Sequence, residues 1–208
     1  MMTPDRSQIE AVLDFLAAAD GLKTVERRSY LSDGSRHENP AEHSWHACLT
    51  ALLMHPYLQQ TVDLPHTLIL LVIHDLVEVY AGDTYAYDTV AQRDQADRER
   101  AAAEKLFGLL PDNQRDLLHS LWREFEDQAT PEARFARAID MSHGFAQNLF
   151  SGGRAWREHG VTARHAHEYN APAERMDPAL AMLYDVLHGR AKAGDMWHSD
   201  TGEGVESR

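Results

Sequence analysis

The chain has 208 residues, 43% hydrophobic and 25% charged, a globular composition long enough for one core of ordinary size or at most two small domains. A formal charge of -13, from 33 acidic against 20 basic residues, argues against a surface that tracks the phosphates of duplex DNA or RNA, although a few arginines can still form a local pocket for a small phosphorylated ligand. The single cysteine, Cys48, cannot form an internal disulfide, and Met1 to Glu10 lack a secretory pattern, so a reducing cytoplasm is expected.

In chain order, Ser7 to Ala19 place Ile9, Val12, Leu13, Phe15 and Leu16 at helical spacing and end near Gly21. Leu22 to Pro40, with Gly34 and many polar residues, reads as a loop carrying Arg28 and Arg36. A second helix is expected from Ala41 to Met54, opening on Glu42-His43-Ser44-Trp45-His46. A third is expected from Pro65 to Ala81, stopped by Gly82. No stretch reads as a membrane span of ~18 apolar residues.

The third helix is the anomaly. His74, Asp75 and Glu78 interrupt an apolar run, and a helix buried on most sides rarely accepts three ionisable groups unless something compensates them. A metal ion does so economically. An imidazole beside a carboxylate suits Mn, Fe, Co, Ni or Zn better than Mg or Ca. Glu78 falls one turn after His74, on the same face of a regular helix.

Past Gly82-Asp83-Thr84, Tyr85-Ala86-Tyr87-Asp88 reads as a loop at the mouth of a site, and Asp88 to Leu110 as one long charged helix. A further helix starts at Pro111-Asp112. Thr130-Pro131 opens another that runs to Phe150 and sets Asp140 in an apolar stripe. His46 and His143 read as supporting histidines rather than ligands, and Cys48 as a core residue. Gly152-Gly153 breaks the chain before Arg154-Ala155-Trp156-Arg157-Glu158-His159-Gly160, where Trp156 either stacks a base or seals the core. A last helix spans Pro178 to Ala191. The segment from Gly194 is polar and expected to be disordered. With no alternating strand pattern, the fold class is all-α, one domain over residues 1–193 and a tail over 194–208.

The ordered set His43, then His74-Asp75, then Asp140, with Arg28, Glu38-Asn39, Glu78 and Gly82-Asp83 on its flanks, resembles the HD-domain metal-dependent phosphohydrolases, and within them the bacterial 5′-deoxynucleotidase branch. The likeness runs from about Arg27 to Gly160 and implies a single HD-domain helical bundle. It implies that His43, His74, Asp75 and Asp140 hold one divalent ion (Mn, Co, Ni, Fe or Zn before Mg), that Glu78 and Asp83 assist catalysis from the rim, and that Arg28 faces the substrate phosphate, with Arg36 beside it as a second substrate residue. Ser29 stands where the nucleotidases carry an aromatic residue, which loosens the inference to a particular sugar.

The activity expected is hydrolysis of nucleoside, chiefly deoxyribonucleoside, 5′-monophosphates. The alternatives are an HD hydrolase of a cyclic or guanosine-tetraphosphate-type nucleotide, and a non-catalytic metal- or nucleotide-binding protein. The expected partners are a small phosphorylated nucleotide and a second copy of the chain in a homodimer, with neither duplex nucleic acid nor membrane. Absence of G-x-x-x-x-G-K-[ST] and of G-x-S-x-G argues against a P-loop motor and a serine hydrolase.

Overall fold

The computed structural model describes residues 5–199. Most of the long helices begin where a side chain satisfies a free amide; α5 and α6 do not. Asp5 caps α1 (Arg6–Ala19), and Asn39, with Glu42 reaching back, caps α2 (Pro40–Met54). Asp63 caps α3 (Leu64–Ile73), and α4 (Glu78–Ala81) ends at Gly82, whose φ of 74° suits glycine. Then come α5 (Gln95–Phe107), α6 (Asp112–Asp127) and α7 (Pro131–Phe150), the last capped by Thr130. Short α8 (Arg154–Glu158), α9 (Ala163–Glu174, capped by Thr162) and α10 (Pro178–Ala193, capped by Asp177) complete the bundle. Among the described residues there is no strand, only an isolated Tyr30–His37 bridge, so the all-α expectation holds.

The centre is α7, whose Phe135, Ala136, Ile139 and Phe145 are buried against α2, α3, α9 and α10. A second cluster, including Phe15, Ile73, Leu106, Phe107 and Trp122, joins α1 and α5 to the end of α3. Between α1 and α2 the chain doubles back through Arg27 N–H to Glu38 O (2.9 Å) and Glu38 N–H to Ser29 O (2.9 Å). This loop carries Arg27, Arg28 and Glu38 to the bundle.

Several expectations need correction. The helix expected over Pro65–Ala81 is broken: His74 N–H makes the last α-type bond of α3, to Leu70 O, Leu76, Glu78, Val79 and Tyr80 bond three residues back, and α-type bonds resume at Ala81 and Gly82. The window Leu64–Ala81 does reach 18 residues of apolar character, contrary to expectation, but this break and the ionisable His66, His74, Asp75 and Glu78 make it a helix pair of a bundle. The charged helix starts at Gln95, after a single turn at Ala91–Arg93. Helix α9 was not anticipated, because Pro172 and a polar sequence hide its period.

Trp156 seals the core: it is fully buried and stacks on Trp197 at 4.1 Å. The tail expected from Gly194 is therefore ordered at first, with His198 N–H donating to Val161 O. Its remainder, from residue 200, lies outside the described residues.

Candidate active site

Four side chains from three helices meet below a cavity of about 400 Å³. The cap at Asn39 fixes the first turn of α2 and points fully buried His43 inward. The end of α3 supplies His74 and Asp75, and the middle of α7 supplies Asp140. His43 Nε2 lies 2.9 Å from Asp140 Oδ1 and 3.9 Å from Asp75 Oδ2, and His74 Nε2 lies 3.1 Å from Asp75 Oδ1 and 3.8 Å from Asp140 Oδ1.

The surroundings fix the state of these groups. His74 Nδ1–H donates to Leu71 O at 2.8 Å, so in the neutral imidazole, the form that binds a metal, the lone pair sits on Nε2, a buried atom with no hydrogen-bond partner among the described residues. His43 Nδ1 lies 2.7 Å from His143 Nδ1, so one of the two must donate. Buried Glu38 stands behind both imidazoles, 3.9 Å from His43 Nδ1 and from His143 Nε2, and accepts from Ser29 Oγ–H at 3.1 Å. Burial raises Glu38 to about 7 despite Arg27 beside it. Burial also works against ionised Asp75, but His74, Arg27 and His43 hold it down at about 2, and His43, Arg137 and His74 hold Asp140 low as well. Two carboxylates kept ionised beside an unengaged imidazole nitrogen make a donor set that a divalent transition ion fits.

Around this floor stand further charges. Glu78 is 7% exposed and its Oε2 has no hydrogen-bond partner among the described residues. Burial, then the carboxylates of Asp75 and Asp83, push its pKa well above the ordinary range. Asp83 is raised by burial against the pull of Arg27. Both line the cavity wall and are not at an exposed rim, since the break after His74 turns Glu78 off the His74 face.

The arginines differ from expectation. Arg27, which the sequence did not single out, is half-buried among Asp75 (3.0 Å), Asp83 (3.5 Å) and Glu38 (3.6 Å). Arg28 is exposed and lines the cavity, with no hydrogen bond or ion pair among the described residues. Arg36 is not in the cavity: its guanidinium donates to Glu42 (2.9 Å) and to His37 O (3.0 Å), reinforcing the cap of α2. Arg137, one turn before Asp140 and 3.3 Å from it, was also missed, although its spacing on α7 puts it on the same face.

Tyr85 and Tyr87 line the cavity from the loop after Gly82, and Tyr169 and Asn170 line it from α9. The cluster Arg154–Glu158 faces elsewhere, with the Arg154 guanidinium 3.8 Å above the Tyr30 ring. Half-buried Cys48 lies outside the cavity, and burial raises its pKa.

Fold and site together define a class, and the sequence falls within it: residues 19–179 match the HD domain model, and the chain belongs to the HD domain family. Among solved structures it is similar to a predicted metal-dependent phosphohydrolase from Magnetospirillum magnetotacticum, at 36% identity and a TM-score of 0.85, covering 93% of this chain and all of that one. Among curated proteins it is similar to the 5′-deoxynucleotidase HDDC2 of Xenopus laevis, 28% identical over 67% of this chain and 69% of the relative. The human HDDC2 is 27% identical over 62% and 63%, so this match spans less than two thirds of the relative. A protein from Pyrococcus horikoshii, 18% identical with a TM-score of 0.60, shares the fold.

Proposed function

We propose that the chain is a metal-dependent phosphohydrolase that cleaves nucleoside 5′-monophosphates, deoxyribonucleotides foremost, to nucleoside and phosphate. The observation that carries this is the convergence of His43, His74, Asp75 and Asp140 on unengaged His74 Nε2, under a cavity with Arg28 at its side. The activity of the relatives supports the substrate class. These four residues would hold one divalent ion, with Mn, Fe, Co, Ni or Zn preferred over Mg for a set with two imidazoles. When bound, that ion supplies Lewis acidity and a more acidic water.

The other residues have distinct tasks. Arg28 binds the phosphate, because its five donors are not engaged by the described residues. Arg27 does not serve the substrate; it orients Asp75 and Asp83. Glu78, kept protonated by burial and by its neighbours' charge, gives its proton to the 5′-oxygen as the bond to phosphorus breaks, and Asp83 orients the incoming water. Tyr85, Tyr87 and Tyr169 give the nucleoside an aromatic wall.

Phosphate release from dAMP, AMP and cyclic AMP, with Mn, Co, Ni, Zn and Mg in turn, tests this reading. Preferential cleavage of the cyclic diester, or equal turnover after chelation, would overturn it.

A homodimer is part of the same proposal. Exposed positions in the body of α2 are Trp45 (67%), Leu49, Leu52 and Leu53 (61%), and those of neighbouring α3 are Pro65, Ile69 and Val72 (58%). Surface helices normally carry polar residues there, and monomers rarely expose apolar patches beyond about 300–600 Å². A second copy fits, because two chains of charge -13 can approach on an uncharged face. An anionic membrane fits poorly, because these stripes carry no Lys or Arg. Sedimentation should give a dimer that Leu52→Glu with Val72→Glu converts to a folded monomer; a monomeric parent at all concentrations would refute the pairing.

A further inference from the structure

On the outer side of α9, away from the cavity, a second group of donors stands together. His167 and Glu174 lie two turns apart on α9, and His188 faces them from α10. Glu174 Oε1 is 3.4 Å from His188 Nε2 and 3.9 Å from His167 Nδ1. The two imidazoles stack with centroids 3.6 Å apart and planes within 8°. None of the three residues lines the catalytic cavity.

The polar atoms here are left without ordinary partners. Glu174 Oε1 and both ring nitrogens of His188 are buried with no hydrogen bond among the described residues, and the His188 side chain is only 12% exposed. Phe145 meets the His188 ring edge-on at 4.7 Å, so the core side offers no donor or acceptor in exchange. Leaving several such atoms unpaired is costly. One cation would take Glu174 Oε1 and the facing Nε2 of His188 together.

We propose that His167, Glu174 and His188 form a second metal site, for a borderline divalent ion such as zinc, that ties α9 to α10. Two imidazoles and one carboxylate, with a remaining position for water, are a common zinc set, whereas Mg or Ca would call for oxygen donors. Donors held at about 2.0–2.1 Å on a tetrahedral ion sit roughly 3.3–3.4 Å apart. The 3.4 Å between His188 and Glu174 already meets this. His167 must turn out of the parallel stack to aim its lone pair, and its 58% exposed side chain is free to do so.

The placement gives the ion a task. Tyr169 and Asn170, between His167 and Glu174 on α9, line the catalytic cavity, and Asn170 also accepts a hydrogen bond from the Tyr184 hydroxyl of α10 at 3.1 Å. An ion on the opposite side of α9 would pin the same helix pair from outside. The site stands apart from the reaction proposed above and does not depend on it.

Calorimetric titration of the full chain with zinc, alongside metal analysis at equilibrium, tests the proposal. The parent should bind two ions per chain, Asp75→Asn one, and Asp75→Asn with His167→Ala none, while His188→Gln and His167→Ala each bind one. Exposed His167 is the safeguard, since its loss leaves the core intact even if His188→Gln fails to fold. Zinc should also raise the melting temperature of Asp75→Asn but not that of the double variant. Two ions retained by His167→Ala, or no zinc-dependent shift in Asp75→Asn, would overturn it.

Discussion

Replacing Asp75 with Asn keeps the shape of the side chain and removes its charge. In the metal-free chain two effects oppose each other. Asp140 and Asp83 lose one like charge beside them, while His74 loses its 3.1 Å partner and Arg27 its 3.0 Å partner, although Arg27 keeps Asp83 at 3.5 Å and Glu38 at 3.6 Å. Because the net surroundings hold Asp75 at about 2, below the ordinary carboxylate range, the metal-free melting temperature should fall. The metal-dependent gain should collapse, because a ligand at a thousand times its Kd stabilises the folded state by about 4 kcal/mol. For a chain of 208 residues, at about 2–4 °C per kcal/mol, the parent should gain about 8–16 °C with saturating Mn or Co, and Asp75→Asn only a small part of it. Differential scanning fluorimetry across a manganese titration, with metal content measured on the same samples, reads this directly. A full shift in Asp75→Asn would show that the ion sits elsewhere and that the convergence of the four side chains has another purpose.

Three more outcomes follow from the geometry. Glu78→Gln should retain metal yet lose ~10²-fold or more in turnover. Because the pKa of Glu78 is raised and its protonated form acts, parent turnover should fall as pH rises through that elevated value, and the variant's pH profile should lack this descending limb. Arg28→Ala should raise KM for dAMP at least ~10-fold with unchanged metal content, since a charge-assisted contact is worth about 1.5–3 kcal/mol, and an unaltered KM would remove Arg28 from the phosphate site. Trp197→Ala should cost about 2 kcal/mol in urea unfolding through loss of its stack on Trp156, and no change would mean that the segment after α10 packs only weakly.

The helices that build the site were legible from local signals: Thr130-Pro131 announces α7 and apolar spacing announces α2, and Asp140 and His43 stand inside them. The ligand candidates came from ionisable groups in apolar stripes, a local signal. What was not legible depends on distant partners. Arg27 and Arg28 are adjacent, and only the doubled-back loop decides that one is locked among carboxylates and the other faces the cavity. Arg36 looked like a phosphate ligand because its claim on Glu42 is a tertiary choice. The tail after Gly194 looked polar residue by residue, yet Trp197 finds its aromatic partner 41 positions earlier, at Trp156.

The tightened winding between His74 and Val77 bears on how this protein can be engineered. Substitutions that strengthen helix propensity are a usual route to greater stability. Here a straight α-helix through Leu76 and Val77 would bring Glu78 back over His74 and away from the wall where it stands against Asp83. Improved regularity would work against the chemistry, so the segment is where thermostability and turnover should trade against each other. Variants selected only for melting temperature should accumulate changes there at the expense of rate, whereas the capped starts of α2 and α7 can be strengthened without that conflict.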